Sequence, residues 1–328
     1  MKKIETPNNT TSKSNQSILT KLNLEVDKYK QPFQGKIMST DTSISTSETT
    51  RTPSYKLNSW MGDLHSRIGH LRIGQLSLAG AHNSGMDKEA PYWNSYITCQ
   101  DRSFRHMLDN GIRSFDFRIR WYFGRGEDSD AFYFFHKQDS GRTFKEAMLA
   151  LNYFWLENRG ELIIIDLQKI VSSSNRAVPY RSLYNAIMRD HGWKLLPRSA
   201  ASLSIDQIKK QYPGRHLIIA APTELANLDT TYFWERITGR WIGKDLSNAT
   251  ELKAYITEVM RNPPSNSMPW SMSATTYNWL GPGHIGNELS SWYSTHGEWQ
   301  QKSSIISFDF CTRTNFVHNC IQSNLTKK

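Results

Sequence analysis

The chain has 328 residues, and 40 Lys and Arg against 30 Asp and Glu give it a formal net charge of +10. No apolar run approaches the roughly 20 residues that span a bilayer, which excludes an integral membrane protein. Three cysteines, Cys99, Cys311 and Cys320, are too few and too scattered for a disulfide framework or a four-ligand zinc site.

The apolar share of 38% is low for a compact domain, and the shortfall lies at the start of the chain. Residues 1–55 read as a disordered tail, rich in Ser and Thr between 38 and 54 and without an apolar period to bury. The first ten residues are basic, but no apolar core region follows them, so a Sec signal peptide is not expected. The remainder, 56–328, reads as one domain.

From Trp60 onward, short β-like runs alternate with helical patterns. Predicted strands occupy residues 75–81, 114–121, 132–136, 162–168, 216–221, 270–276 and 304–310, with 240–243 as a candidate sixth strand of the repeat. Predicted helices occupy 144–158, 178–189, 251–261 and 285–294; in the first, Phe144, Ala147, Met148, Leu151 and Trp155 recur at helical spacing. The unbroken apolar run 162–165 suits a parallel strand covered on both faces. Such alternation predicts an α/β fold, either an irregular (β/α)8 TIM-like barrel or an open doubly wound sheet. No glycine-rich fingerprint follows the first strand, which favours the barrel.

Four strand ends carry polar residues that a core has no use for. The first ends in Gly80-Ala81-His82-Asn83-Ser84, and the second contains Asp116 and Arg118. The third ends in His136, and the last runs into Asp309. Alternation along a strand puts Asp116 and Arg118 on one face, toward the barrel interior, and Phe115 and Phe117 on the other, toward the helices. Closure of eight strands would set the last beside the first, and so Asp309 beside His82. One carboxylate then orients one imidazole, with a guanidinium and a second imidazole nearby. Two histidines can divide base and acid roles across a phosphodiester, while arginine holds the phosphate oxygens with a charge it cannot lose.

The chain resembles the X domain of phosphatidylinositol-specific phospholipase C in its bacterial form. The likeness rests on Leu78-Ala79-Gly80-Ala81-His82-Asn83-Ser84, Gly111-Ile112-Arg113-Ser114-Phe115-Asp116-Phe117-Arg118, His136, Arg159-Gly160-Glu161-Leu162-Ile163-Ile164-Ile165 and Asp309, in that order. It covers about residues 60–324. It implies a lyase-type cleavage of an inositol phospholipid to diacylglycerol and inositol 1,2-cyclic phosphate, with slow later opening of the ring by water. His82 would be the general base on the inositol 2-hydroxyl, held by Asp309. Arg118 would bind the phosphate, His136 would protonate the leaving oxygen, and Asp116 would support the Arg118–His136 side. Because Arg118 stands where the calcium-dependent branch has an acidic ligand, neither metal nor cofactor is expected.

Three positions depart from the bacterial pattern. Asn83 replaces an Asp that assists the acid, Gln168 replaces a ring-binding Lys, and Ala221 replaces a ring-binding Arg. Asn83, Gln168 and Asp166 are the expected substrate-binding residues beside a rebuilt headgroup pocket. The alternatives are the same chemistry on a different lipid or glycolipid headgroup, a metal-dependent phosphodiesterase using His82, Asp116 and His136 as ligands, and a non-catalytic lipid-binding barrel.

The expected partner is an inositol phospholipid at a membrane surface, met peripherally. Tyr92, Trp93, Tyr96 and the stretch Trp121-Tyr122-Phe123-Gly124-Arg125 are candidates for an aromatic rim, with core packing as the competing fate. The positive charge would assist adsorption to anionic lipid. Nucleic acid is not expected, since basic residues are dispersed and no recognition motif is present. No obligate protein partner is evident. The expected location is cytoplasmic, or external by a non-Sec route.

Overall fold

The computed structural model describes residues 54–328. The expected tail at 1–55 therefore lies outside the described residues, apart from Ser54 and Tyr55. Tyr55 belongs to the folded body: its hydroxyl bonds His318 Nδ1 at 2.8 Å and accepts from Gln322 Nε2 at 3.2 Å.

Twelve strands are described. They are β1 (Leu78–Ala81), β2 (Ser114–Trp121), β3 (Phe132–His136), β4 (Gln138–Thr143), β5 (Ile163–Ser172), β6 (Leu217–Ala221), β7 (Phe233–Glu235), β8 (Thr238–Arg240), β9 (Trp270–Ser273), β10 (Tyr277–Asn278), β11 (Gly281–Pro282) and β12 (Ile305–Phe308). Eight of them form one parallel sheet in the order β7-β6-β5-β2-β1-β12-β9-β8. The two ends of that order are separated in the chain by Arg236 and Ile237 alone. The curled sheet thus returns to itself through the backbone instead of a β7–β8 ladder, an irregular TIM-like barrel. No helix among the described residues is long and apolar enough to cross a membrane.

Burial explains the strand sequences. All residues of β1, β6 and β12 are buried, so these strands are short apolar runs covered on both faces. On β2 the alternation holds: Phe115, Phe117, Ile119 and Trp121 are buried, while Asp116, Arg118 and Arg120 are half-buried. The Phe117 ring meets Phe134 at 4.8 Å, Phe104 at 5.3 Å and Phe144 at 6.1 Å. That aromatic seam packs the helices Phe104–Asp109 and Phe144–Glu157 against the barrel wall. A capping box between Thr143 and Glu146 starts the second of these helices.

Two sequence-based expectations change. The third predicted strand is not a barrel stave: β3 pairs antiparallel with the outer part of β2 and continues into β4 as a hairpin. An apolar run cannot report strand direction, which the connection decides. The sixth strand is Thr238–Arg240, not 240–243, and all three of its residues are exposed. It carries no apolar alternation, so nothing in its sequence marked it as a strand.

Beneath the barrel, Arg113 and Glu161 form an ion pair at 2.7 Å with both side chains at 0% exposure. The remaining guanidinium hydrogens go to the carbonyls of Leu108, Ile112, Leu57 and Asn58. Glu161 accepts from the backbone of Gly62 at 2.9 Å and Met61 at 3.3 Å. The pair ties the entry helices to β2 and β5. Glu161→Ala would strand the Arg113 charge in the core and should cost about 3–5 kcal/mol in a denaturant titration. A loss below about 1 kcal/mol would contradict this reading.

Candidate active site

Parallel pairing of β1 with β12 fixes the first contact. Ala81 stands opposite Phe308, and the His82 amide donates to the Phe308 carbonyl at 3.2 Å. The next side chains on the two strands therefore meet: His82 Nδ1 lies 2.8 Å from Asp309 Oδ1. Asp309 is 1% exposed and His82 13%. Gln100, from the loop after β1, clasps both strand ends, donating to the carbonyls of His82 (2.8 Å) and Phe308 (3.1 Å) and accepting from the Cys311 amide. Sequence reading missed Gln100, and a buried glutamine in a loop offers no periodic signal.

Arg118 completes the near side. Its Nη2 and Nε reach the two Asp116 oxygens at 2.9 and 3.3 Å, and Nη2 also lies 3.0 Å from His82 Nε2. Burial alone would raise the Asp116 carboxyl, but Arg118 and His82 hold it below its ordinary value. Burial opposes the Arg118 charge too, and Asp116 more than restores it. With Nδ1–H donating to Asp309, His82 Nε2 carries the lone pair that faces Arg118.

His136 closes the far side at the end of β3. Its Nδ1 lies 3.1 Å from the Ile97 carbonyl, which leaves Nε2 as the unprotonated nitrogen of the neutral ring. Tyr277 meets the ring edge-on at 5.9 Å. Burial lowers His136 to about 4, and the nearby Arg118 charge pushes the same way.

Among the described residues, Asn83, Lys137 and Phe310 are the only non-glycines with left-handed backbone, at φ 47°, 63° and 52°. Each directly follows one of His82, His136 and Asp309. The chain turns sharply just after each of these three side chains, at a cost of about 1–3 kcal/mol per residue. Gly85 lets the first turn close, because a Cβ there would fall 2.0 Å from the Phe134 ring.

A cavity of about 380 Å³ collects His82, Asp116, Arg118, His136, Asp166, Gln168 and Asp309 on its lining. Asn83 differs from the expectation: it is 1% exposed and is not on that lining. Its backbone N–H donates to Asp116 Oδ2 at 3.3 Å. Ala221 is buried at the end of β6, likewise outside the cavity. The further basic groups on the lining come instead from the end of β8 and the segment after it, as Arg240 and Lys244.

Asp166 pairs with Asp116 across the β2–β5 ladder, and a register shift there leaves Gln168 without an opposite residue. Gln168 Nε2 donates to Asp166 Oδ2, and Arg236 Nη2 donates to Gln168 Oε1 at 2.6 Å. Lys169 lies elsewhere, 5.8 Å over the Phe135 ring. Burial, reinforced by the Asp116 charge, pushes the Asp166 carboxyl up to about 7. A carboxyl raised in the folded state keeps its proton longer than in the unfolded chain. Its stabilising contribution is therefore full below about pH 4 and is lost as pH climbs to about 7. Asp166→Asn should accordingly gain on the wild type by up to about 1.4 kcal/mol per pH unit across that window. Urea melts at pH 4.5 and 7.5 read the difference, and a gap that stays constant with pH would contradict it.

Metal ligation fits these residues poorly. His82, Cys99 and Asp309 have ligand atoms within 4.8 Å of one another. However, burial first, and then the Asp309 charge, keeps the Cys99 thiol well above its ordinary value, and the Arg118 guanidinium faces the same imidazole. The alternative set, His82, Asp116 and His136, has both Asp116 oxygens engaged by Arg118.

No protein-family model matches this chain, and no curated protein matches it in sequence. Solved structures match. The phosphatidylinositol-specific phospholipase C of Staphylococcus aureus aligns at TM-score 0.63 and 14% identity, over 82% of this chain and 98% of that one. A mutant form of the same enzyme aligns at TM-score 0.64 and 13% identity, over 82% and 100%. The Listeria monocytogenes enzyme aligns at TM-score 0.59 and 14% identity, over 82% and 99%. At these identities the likeness is one of fold: this chain has the barrel of the bacterial phospholipases.

Proposed function

We propose that this protein is a metal-independent phosphodiesterase of phospholipase C type, acting on an inositol phospholipid at a membrane surface. The observation that carries the reading is the His82–Asp309 pair at 2.8 Å with Arg118 Nη2 at 3.0 Å from the free nitrogen of the same imidazole, in one cavity with His136. A phosphate entering the cavity competes for the Arg118 fork. As Arg118 turns to the phosphate oxygens, His82 Nε2 is released to take the proton of the inositol 2-hydroxyl. The hydroxyl oxygen then attacks phosphorus, closing the 1,2-cyclic phosphate and expelling the diacylglycerol oxygen. Arg118 stabilises the charge that develops on the non-bridging oxygens.

His136 donates a proton to the leaving oxygen. In the empty cavity burial keeps its ring neutral, and the negative charge of the bound phosphodiester offsets that burial. Asn83 carries no charge to help. Protonation of His136 is thus coupled to substrate binding. Water in place of the departed alcohol, giving its proton to His136 as it attacks phosphorus while His82 returns a proton to the 2-oxygen whose P–O bond breaks, would open the cyclic product slowly.

The surface around the mouth supports an interfacial enzyme. The β10–β11 hairpin starts at Tyr277 on the cavity wall and carries Trp279 and Leu280 at its tip, 82% and 81% exposed. Tyr92 and Trp93 are exposed as well, and Tyr96 from the same loop packs edge-on against Tyr277 at 5.4 Å. Exposed aromatic and aliphatic groups rimming a polar cleft suit insertion among lipid headgroups. Trp121, by contrast, is core, and of the aromatic residues in its stretch only Phe123 is well exposed. Headgroup release from phosphatidylinositol vesicles in EDTA tests the proposal. Full activity is expected, and activity that needs added calcium would overturn it.

A further inference from the structure

Part of the cavity wall is formed by β8 and the segment that follows it. Gly239 lines the cavity from within β8, yet its φ lies outside the left-handed region and a Cβ there would meet nothing within 4 Å. Neither backbone nor packing requires glycine at this point, so the missing side chain leaves the wall open to a ligand. Arg240 follows on the same lining. It is exposed, and its guanidinium makes no hydrogen bond or ion pair among the described residues. Lys244 also lines the cavity, held by a surface pair with Glu251 at 2.8 Å that weighs little against a better partner. Asp245 is the carboxylate on this part of the lining and Glu251 pairs with Lys244 from outside it, so the lining here carries two cations and one carboxylate. Arg236 is already committed to Gln168.

Where the bacterial pattern sets a Lys and an Arg against the ring hydroxyls, this chain has Gln168 and the buried Ala221, so Arg240 and Lys244 stand elsewhere on the wall, while Arg118 serves the phosphodiester. Two further cations flanking an opening fit another anion. We propose that the cavity takes an inositol-lipid headgroup carrying a second, phosphomonoester anion, seated over Gly239 between Arg240 and Lys244. This rests on the lyase reading above and names its substrate class. The guanidinium fork matches two phosphate oxygens and the ammonium adds a point charge, a combination worth about tenfold or more in affinity at low salt.

Calorimetric titration with soluble inositol 1-phosphate and inositol 1,4-bisphosphate reads the site without turnover. The bisphosphate should bind at least about tenfold more tightly, and the margin should shrink as salt rises. The double variant Arg240→Gln/Lys244→Gln should bring the two affinities together. Gly239→Val should erode the bisphosphate preference while melting as the wild type does. Equal affinities in the wild type, no binding of either ligand, or a preference that survives the double variant would overturn the proposal. So would tighter binding of glucosaminyl inositol phosphate, which would assign this wall to a sugar stacked on Trp241. Turnover separates the two levels. Failure to hydrolyse both phosphatidylinositol and its 4-phosphate sinks the lyase reading, whereas hydrolysis without gain from the extra phosphate sinks only the substrate class.

Discussion

His82→Ala should lower turnover by about 10³- to 10⁴-fold while the protein stays folded. The imidazole is the one basic group with a lone pair aimed at the Arg118 fork, where the phosphate would sit, and general-base catalysis contributes about 10²–10⁴. Loss of a bond to Asp309 leaves that carboxylate buried, with Oδ2 already lacking a partner among the described residues, so the melting temperature should fall modestly as well. Asp309→Asn tests the same pair from the other side. An amide can turn its NH2 toward Nδ1 and force the proton onto Nε2, the wrong nitrogen for a base. The expected loss is about 10²–10⁴ with little change in KM. Steady-state kinetics on both variants, with circular dichroism to confirm folding, read the result. Activity within tenfold of wild type in either variant would remove His82 from the base role.

Arg118→Lys should cost about 10²–10³ in kcat, although the charge is kept. A lysine ammonium is a point donor. It cannot present two parallel N–H groups to two phosphate oxygens, as the guanidinium presents Nη2 and Nε to the two Asp116 oxygens at 2.9 and 3.3 Å. Arg118→Ala should cost more, because Asp116 would then face Asp166 without a counter-ion and bring a net negative charge to a site that must bind an anion. Added calcium should not restore either variant at physiological levels. A Lys variant as active as the wild type would mean that simple charge suffices and that the fork has no role in the reaction.

Much of this arrangement was legible before any coordinates, for definable reasons. Strand periodicity alone separates Asp116 and Arg118 from Phe115 and Phe117, and the structure buries the aromatic pair against the helices. Barrel closure alone puts Asp309 beside His82. What could not be read depends on backbone path and not on pattern. The position of His136 follows from an antiparallel hairpin, although its strand looks like any other apolar run. Gln100 clasps β1 and β12 from a loop with no period. Arg240 and Lys244 reach the cavity from an exposed strand and loop, so no hydrophobic signal announced them. The resemblance sets Asn83 where bacterial members have an Asp and so among the substrate-binding residues, yet at this left-handed turn its side chain is buried and off the cavity lining.

The central claim is intramolecular attack assisted by His82 without a metal. Phosphorus NMR of the full chain acting on phosphatidylinositol micelles in EDTA, beside His82→Ala, tests it most directly. The expected spectrum shows a five-membered cyclic phosphodiester accumulating first in the wild type, with the acyclic monophosphate following slowly, and neither forming with His82→Ala. Direct appearance of the monophosphate with no cyclic precursor, or the same cyclic product from His82→Ala, would contradict the account.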